Sequence, residues 1–313
     1  MQTIEIPGAG KKMSRLIMGT GDLRVMDEPK RQMFDAYIAA GGNAFDTAHQ
    51  YRGKEKILGD WIAEKKIRDR VVILCKGAHH DDGSPGPRVN PGAIRKDLSE
   101  SLERLGTDYI DLYMLHRDDP TVEVGPIVEE LNEQLAAGKI RAIGASNWAY
   151  RRVQEANEYA EARGLTGFAF SSTNLSLAKA NEPRWEGCIS ADRPTVDWHA
   201  RTRIPLLSWS AQAGGFFSGH FTPDNRSDSE MVRVYYSEEN WERYRRAMEL
   251  AERMGVPPIR ISLAYVLYQA FPTGAIIGPR NPAELEDSVK AMNLRLTQQE
   301  VDWLDLRTEE IGR

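Results

Sequence analysis

Eight short apolar runs of strand length recur along this 313-residue chain, separated by longer stretches that are mostly amphipathic with a helical period. The runs lie at residues 16–18, 44–45, 71–75, 109–115, 140–145, 167–170, 205–209 and 275–277. Several are apolar throughout, as strands covered on both faces are. Helical patterns fall at 29–40, 54–65, 91–105, 125–137, 149–163, 238–254 and 259–270. Pro29 opens the first and Gly41-Gly42 follow its end; Asn90 precedes Pro91 as an N-cap, and Gly106 stops that helix. Each signal has a cause: Asn accepts an orphan N–H, Pro is preset for the first turn, and Gly adopts the left-handed cap. Strands alternating with helices specify a parallel sheet. Eight units point to an α/β fold closed as a (β/α)8 TIM barrel with its active site on the C-terminal face, although the count alone also fits a doubly wound open sheet.

The length suits one barrel with insertions, so residues 1–313 are read as a single domain. The least regular stretches, 178–202 and 214–237, read as long loops after the sixth and seventh strands, where a barrel places functional residues. With 41 basic and 46 acidic side chains, the net charge of -5 carries no nucleic-acid footprint. Cys75 and Cys188 lie far apart, which favours a reducing compartment. No segment has the apolar length of a membrane span, and the N-terminus lacks an apolar leader core. A cytoplasmic monomer without a membrane partner is expected. The neighbours His79, His80, Asp81 and Asp82 lack a further ligand set, so no metal is expected there.

Four ionisable residues leave consecutive strands at one end. Asp46 follows the second strand, Tyr51 lies in the loop beyond it, Lys76 follows the third and His116 the fourth. Hydride addition to a carbonyl puts negative charge on its oxygen, which then needs a proton donor and stabilising dipoles. A tyrosine hydroxyl, with a pKa near ~10, is a weak acid until a neighbouring ammonium favours the phenolate. Lys76 suits that role, Asp46 would hold Lys76 charged, and His116 would orient the carbonyl. Singly, each residue has a plainer reading: a helix cap, a solvated lysine, a strand-end histidine.

The segments GGNAFDTAHQY, VVILCKGAHH and DLYMLHRDD resemble the catalytic segments of the aldo-keto reductases, and the similarity runs from LIMGTGDL to IIGPRNPAELEDS. The resemblance implies an eight-stranded barrel, a nicotinamide cofactor and the Asp–Tyr–Lys–His group in the roles above. It also implies cofactor contacts. Gly19, Thr20, Gly21 and Asp46 would touch the cofactor from the first two strands, and Ser146 and Asn147 would hold the carboxamide. Ser172 stands where the family has glutamine, with Asn174 as an alternative. Trp209 would stack on the nicotinamide, with barrel core as its plainer reading, and Ser210, Ala211, Gln212, Gly214, Gly215 and Phe216 would follow the pyrophosphate. Ile277, Gly278, Arg280, Glu284 and Ser288 would grip the adenosine end. The planar fork of Arg280 suits a 2′-phosphate, hence NADPH; Glu284 suits ribose hydroxyls, which leaves NADH as the alternative. Tyr51, His116 and Trp148 would line the substrate pocket. Trp185, Trp198 and His199 add aromatic surface near it, which either suits a sugar-like carbonyl or packs the long loop against the barrel, the latter favoured for Trp198. The expected activity is NADPH-dependent reduction of aldehydes or ketones. The alternatives are NAD(P)+-dependent oxidation of a sugar or polyol, and a cofactor-binding regulatory subunit.

Overall fold

Ahead of the first expected strand, the chain forms an antiparallel hairpin of β1 (Thr3–Glu5) and β2 (Lys12–Ser14), which the sequence reading did not foresee. The computed structural model describes residues 1–80 and 86–311. Each hairpin strand is three residues long, too short for an alternation to stand out. Ile4, Ile6 and Met13 nevertheless reach inward and close the N-terminal end of the barrel.

The barrel strands are β3 (Leu16–Gly19), β4 (Ala44–Asp46), β5 (Val72–Gly77), β6 (Ile110–Leu115), β7 (Ile140–Ser146), β8 (Phe170–Ser172), β9 (Leu206–Ser208) and β10 (Thr273–Ile277). All pair in parallel in chain order, and β10 closes on β3 with Ala275 opposite Leu16. The open-sheet alternative is thereby excluded. Inside the barrel lie Ile17, Val72, Leu74, Leu112, Met114, Phe170 and Leu207. A β-carbon on Gly144 would come within 2.5 Å of the Phe170 ring, so the glycine makes room for the largest interior side chain.

Outside the strands lie α1 (Glu28–Ala39), α2 (Lys54–Lys65), α3 (Pro91–Leu105), α4 (Val124–Ala136), α5 (Tyr150–Ala162), α6 (Arg193–Thr202), α7 (Ser229–Tyr235), α8 (Glu238–Met254), α9 (Pro258–Leu267), α10 (Pro282–Ala291) and α11 (Gln298–Leu304). A second apolar layer fills the space between strands and helices. In it Phe34, Phe45 and Trp61 meet with ring centroids 5.2 to 5.4 Å apart. Burying such side chains contributes about 1.5–3 kcal/mol each. Asn90 caps α3 by accepting from Ala93 N, and Gly106 ends it in the left-handed region, as the sequence implies.

Three expectations shift. The sixth strand forms three residues later, at β8, because Asn157 binds both the N–H and the carbonyl of Phe168 and holds that stretch out of the sheet. The stretch 178–202 is not all loop: Asp192 accepts from Thr195 N with Pro194 in the first turn, and α6 follows. The stretch 214–237 likewise holds α7, capped by Asp228.

Candidate active site

Each expected catalytic residue sits at the C-terminal end of its strand. Asp46 is the last residue of β4, Lys76 the penultimate residue of β5, and His116 follows β6. Tyr51 ends a 3-10 turn, His49–Tyr51, just beyond β4. Parallel pairing brings these ends together, so residues far apart in sequence meet in one cluster.

Asp46 and Lys76 are 3% and 2% exposed. Lys76 Nζ donates to Asp46 Oδ1, and lies 3.3 Å from Thr47 O and 3.4 Å from the Tyr51 hydroxyl. Two charges taken out of water need such partners to persist. Burial pushes the Asp46 carboxyl above its ordinary range, against the pull of Lys76. Burial works the other way on Lys76, but Asp46 and Tyr51 more than offset it, and its pKa rises. Lys76 therefore stays an ammonium. Burial raises the Tyr51 hydroxyl and Asp46 adds to this, while Lys76 draws it down. The sequence reading weighed only the ammonium; in the structure burial outweighs it.

His116 stands edge-on to Tyr51, ring centroids 5.8 Å apart, with His79 on another side at 4.6 Å. Burial first, then Lys76 and Arg117, hold its pKa well below the ordinary value. The imidazole is neutral, and its buried Nδ1 has no hydrogen-bond partner among the described residues. Neutral imidazole carries one N–H, which suits donation to a polarised oxygen.

The expected cofactor residues fall into two groups. At the end of β7, Ser146 Oγ and Asn147 N both donate to Ser172 O, and Asn147 Nδ2 donates to His116 O. Ser172 itself is enclosed, with its hydroxyl on Leu207 O, so it braces its neighbours. Asn174 donates to Trp209 O and accepts from Ser190 Oγ. Thr20 is also enclosed and ties β3 to Asp46 O, while Gly19 lets β3 approach Ile277 O closely. These residues, with the buried Ala211, Ile277 and Ser288, form the frame. Phe216 packs into an aromatic cluster with Trp241 and Tyr244, leaving only its backbone to the loop.

The second group is partly open: Gly214 and Arg280 are exposed, while Ala213 is enclosed. Beyond β9, Ser210, Ala213, Gly214 and Gly215 all have positive φ, from 48° to 87°, and Gln212 lies within the same turn. Ala213 N and Gly215 N donate to Ser210 O and Gln212 O and close the turn on itself. At Gly21 and Gly278 a β-carbon would meet nothing within 4 Å. Arg280, 80% exposed, holds Glu284 through Nε and Nη2 at 3.0 and 2.8 Å. Trp209 has an enclosed indole N–H with no partner among the described residues.

Trp148 departs from expectation. It is 1% exposed, donates Nε1 to Arg117 O and packs on Phe168, so it belongs to the core and not to the substrate pocket. Trp198 and His199 are also buried, on α6. Trp185 is 48% exposed, with its ring 5.7 Å from that of Trp209. Asp81 and Asp82 lie outside the described residues; among those described, no group of His, Cys, Asp and Glu is arranged to hold a metal. Nor is any described helix long and apolar enough to cross a membrane. The sequence reading missed Arg117, which donates to Glu186 O over the site; its position directly after His116 was the available signal.

The family model described as the aldo/keto reductase family matches residues 15–306. The uncharacterized oxidoreductase YrpG of Bacillus subtilis is 29% identical, over 93% of this chain and 90% of its own. Norsolorinic acid reductase stcV of Emericella nidulans is 30% identical, over 94% and 78%. The glycerol dehydrogenase AKR11B4 of Gluconobacter oxydans superimposes with a TM-score of 0.75 at 26% identity, covering 97% of this chain and 95% of its own. A thermostable aldo-keto reductase, Tm1743, shares the fold at TM-score 0.74 and 21% identity, covering 98% and 99%. With the barrel and its strand-end cluster, these matches place the chain in the aldo/keto reductase family, as an NAD(P)H-dependent oxidoreductase acting on small carbonyl compounds.

Proposed function

We propose that this enzyme reduces aldehyde or ketone groups to alcohols with NADPH, using Tyr51 as the proton donor. The observation that carries the reading is the hydrogen-bonded series Asp46–Lys76–Tyr51 beside the unpartnered ring nitrogen of His116. The residues present fit a dinucleotide: an orphaned ring nitrogen at His116, an orphaned indole N–H at Trp209, a turn of left-handed residues after β9, and open backbone at Gly21 and Gly278. Bound reduced nicotinamide would supply the hydride. His116, neutral, donates its N–H to the substrate oxygen and fixes the carbonyl. Tyr51 gives its proton to the same oxygen as charge builds there. Lys76 stabilises the phenolate left behind, and Asp46 keeps Lys76 charged and in place. Ser146 and Asn147 would hold the carboxamide, Trp209 would lie against the ring, and the 210–216 turn would carry the diphosphate. Ser172 supports this arrangement from behind.

Arg280 supports NADPH, because its fork matches a phosphate. Glu284 opposes it, since a 2′-phosphate must displace or share that carboxylate. The similarity to a glycerol dehydrogenase supports a second reading, oxidation of a polyol at the same site, with Tyr51 taking the proton back. NADPH consumption against aldehydes, ketones and aldoses, with Tyr51→Phe alongside, tests the assignment. Turnover is expected to vanish in the variant while cofactor still binds; an active variant refutes the role of Tyr51.

A further inference from the structure

The segment between β8 and α6 is tied to the ends of four strands. Arg117 Nε donates to Glu186 O at 3.2 Å, Ile189 N donates to Asn147 Oδ1 at 3.3 Å, and Ser190 Oγ donates to Asn174 Oδ1 at 3.2 Å. At its leading end, the Trp185 ring lies beside Trp209. These ties fix Arg184 over the turn that follows β9. Its guanidinium is mostly enclosed and uses one edge on Glu230 of α7: Nε lies 2.8 Å and Nη2 2.6 Å from Oε1. Nη1 points the other way, 3.5 Å from Ser210 Oγ and 3.3 Å from where a β-carbon on Gly214 would stand. Gly214, at φ +64°, thus serves two needs, a left-handed backbone and space for the guanidinium.

We propose that Arg184 binds the diphosphate of the dinucleotide cofactor, a contact that rests on reading the 210–216 turn as the diphosphate site. The chemistry is direct. A guanidinium offers five N–H donors in a rigid fork; Glu230 takes Nε and Nη2, and Nη1 reaches toward the turn at Ser210 Oγ. A partly desolvated guanidinium attracts an anion more strongly than a surface lysine does. Glu230 orients Arg184, but its negative charge also competes with the diphosphate for it.

That competition makes the test directional. Dissociation constants for NADPH and NADH are measured on the full chain, on Arg184→Met and on Glu230→Gln, at low and high salt. Arg184→Met should weaken both cofactors about ten- to a hundredfold, by the loss of a charged hydrogen bond, and this loss should shrink at high salt. Glu230→Gln keeps an acceptor for Arg184 but removes the rival charge, so both cofactors should bind equally or more tightly. Unchanged affinity in Arg184→Met overturns the proposal. So does parallel weakening in both variants, which would make the pair a structural latch only. If Arg184→Met fails to fold, the sign of the Glu230→Gln change still decides. If the unmodified protein binds neither cofactor, the nicotinamide reading itself fails.

Discussion

Replacing Lys76 by Met removes the ammonium from the centre of the proposed site and separates its effects on chemistry from those on the fold. Nζ lies 3.4 Å from the Tyr51 hydroxyl. At an effective dielectric of ~20, a unit charge at that distance favours the phenolate by about 5 kcal/mol. If all of it acted in the transition state, its loss would slow turnover by roughly three to four powers of ten. Asp46 offsets part of the ammonium's field, so the expected fall in kcat is about a hundred- to ten-thousandfold, the usual range for losing an acid–base partner. Cofactor affinity should change little.

The pH dependence has a definite sign. Reduction needs protonated Tyr51, so the rate falls as pH rises through its pKa. Without Lys76 that pKa goes up, and the basic limb moves to higher pH. Stability behaves differently. Asp46 is left buried without its partner, a loss of about 3–5 kcal/mol at neutral pH. Its folded pKa is already raised by burial and rises further, so the folded state binds the proton more readily than the unfolded state. The variant therefore gains stability as pH falls through that raised value, levelling off below ~3.9. Stopped-flow and steady-state rates at each pH, beside urea midpoints, read both effects. Asp46→Asn combined with Lys76→Met removes both charges; it should regain most of the stability at pH 7 and remain slow. A Lys76→Met enzyme within tenfold of the unmodified rate, or one whose basic limb stays put, refutes the reasoning.

Two further outcomes follow from other groups. Burial holds His199 at about 4, below its ordinary value, despite the Nδ1 contact to Ile204 O. Because the unfolded chain takes up this proton first, about 3 kcal/mol of stability should disappear as pH falls from ~6.5 to 4. His199→Asn should flatten that slope in urea titrations, and an unchanged slope would locate the acid sensitivity elsewhere. Glu284→Gln frees Arg280 from an exposed ion pair worth up to about 1 kcal/mol, so NADPH should bind about two- to fivefold more tightly while NADH changes less. Binding titrations that favour NADH instead would remove Arg280 from the 2′-phosphate assignment.

The candidate catalytic cluster was legible because its signals are local. Asp46, Lys76 and His116 each end an apolar run, and parallel strands place such ends side by side whatever lies between them. The helices with Asn, Pro and Gly at their ends were legible for the same reason, as Asn90 and Gly106 illustrate. What escaped depends on partners distant in sequence. Ser171 and Ser172 read as loop residues but belong to β8, since their polar groups are satisfied within the barrel: Ser172 Oγ on Leu207 O, Ser171 N on Pro205 O. Arg184 gave no signal at all, because its neighbours Ser210 and Glu230 are 26 and 46 residues away.

The two tryptophans nearest the site make the distinction sharpest. Both follow a barrel strand; Trp209 reads as a stacking face or as barrel core, and Trp148 as a wall of the substrate pocket. The N–H of Trp148 finds Arg117 O, so its indole can sink fully into the core. The N–H of Trp209, just as enclosed, finds no acceptor among the described residues. An enclosed donor without an acceptor costs about 1–3 kcal/mol. A bound ligand that offers an oxygen would recover that cost. The residue type is the same in both places. What separates the core indole from the one proposed to meet the ligand is the partner of a single N–H, and that partner is fixed only once the barrel has closed.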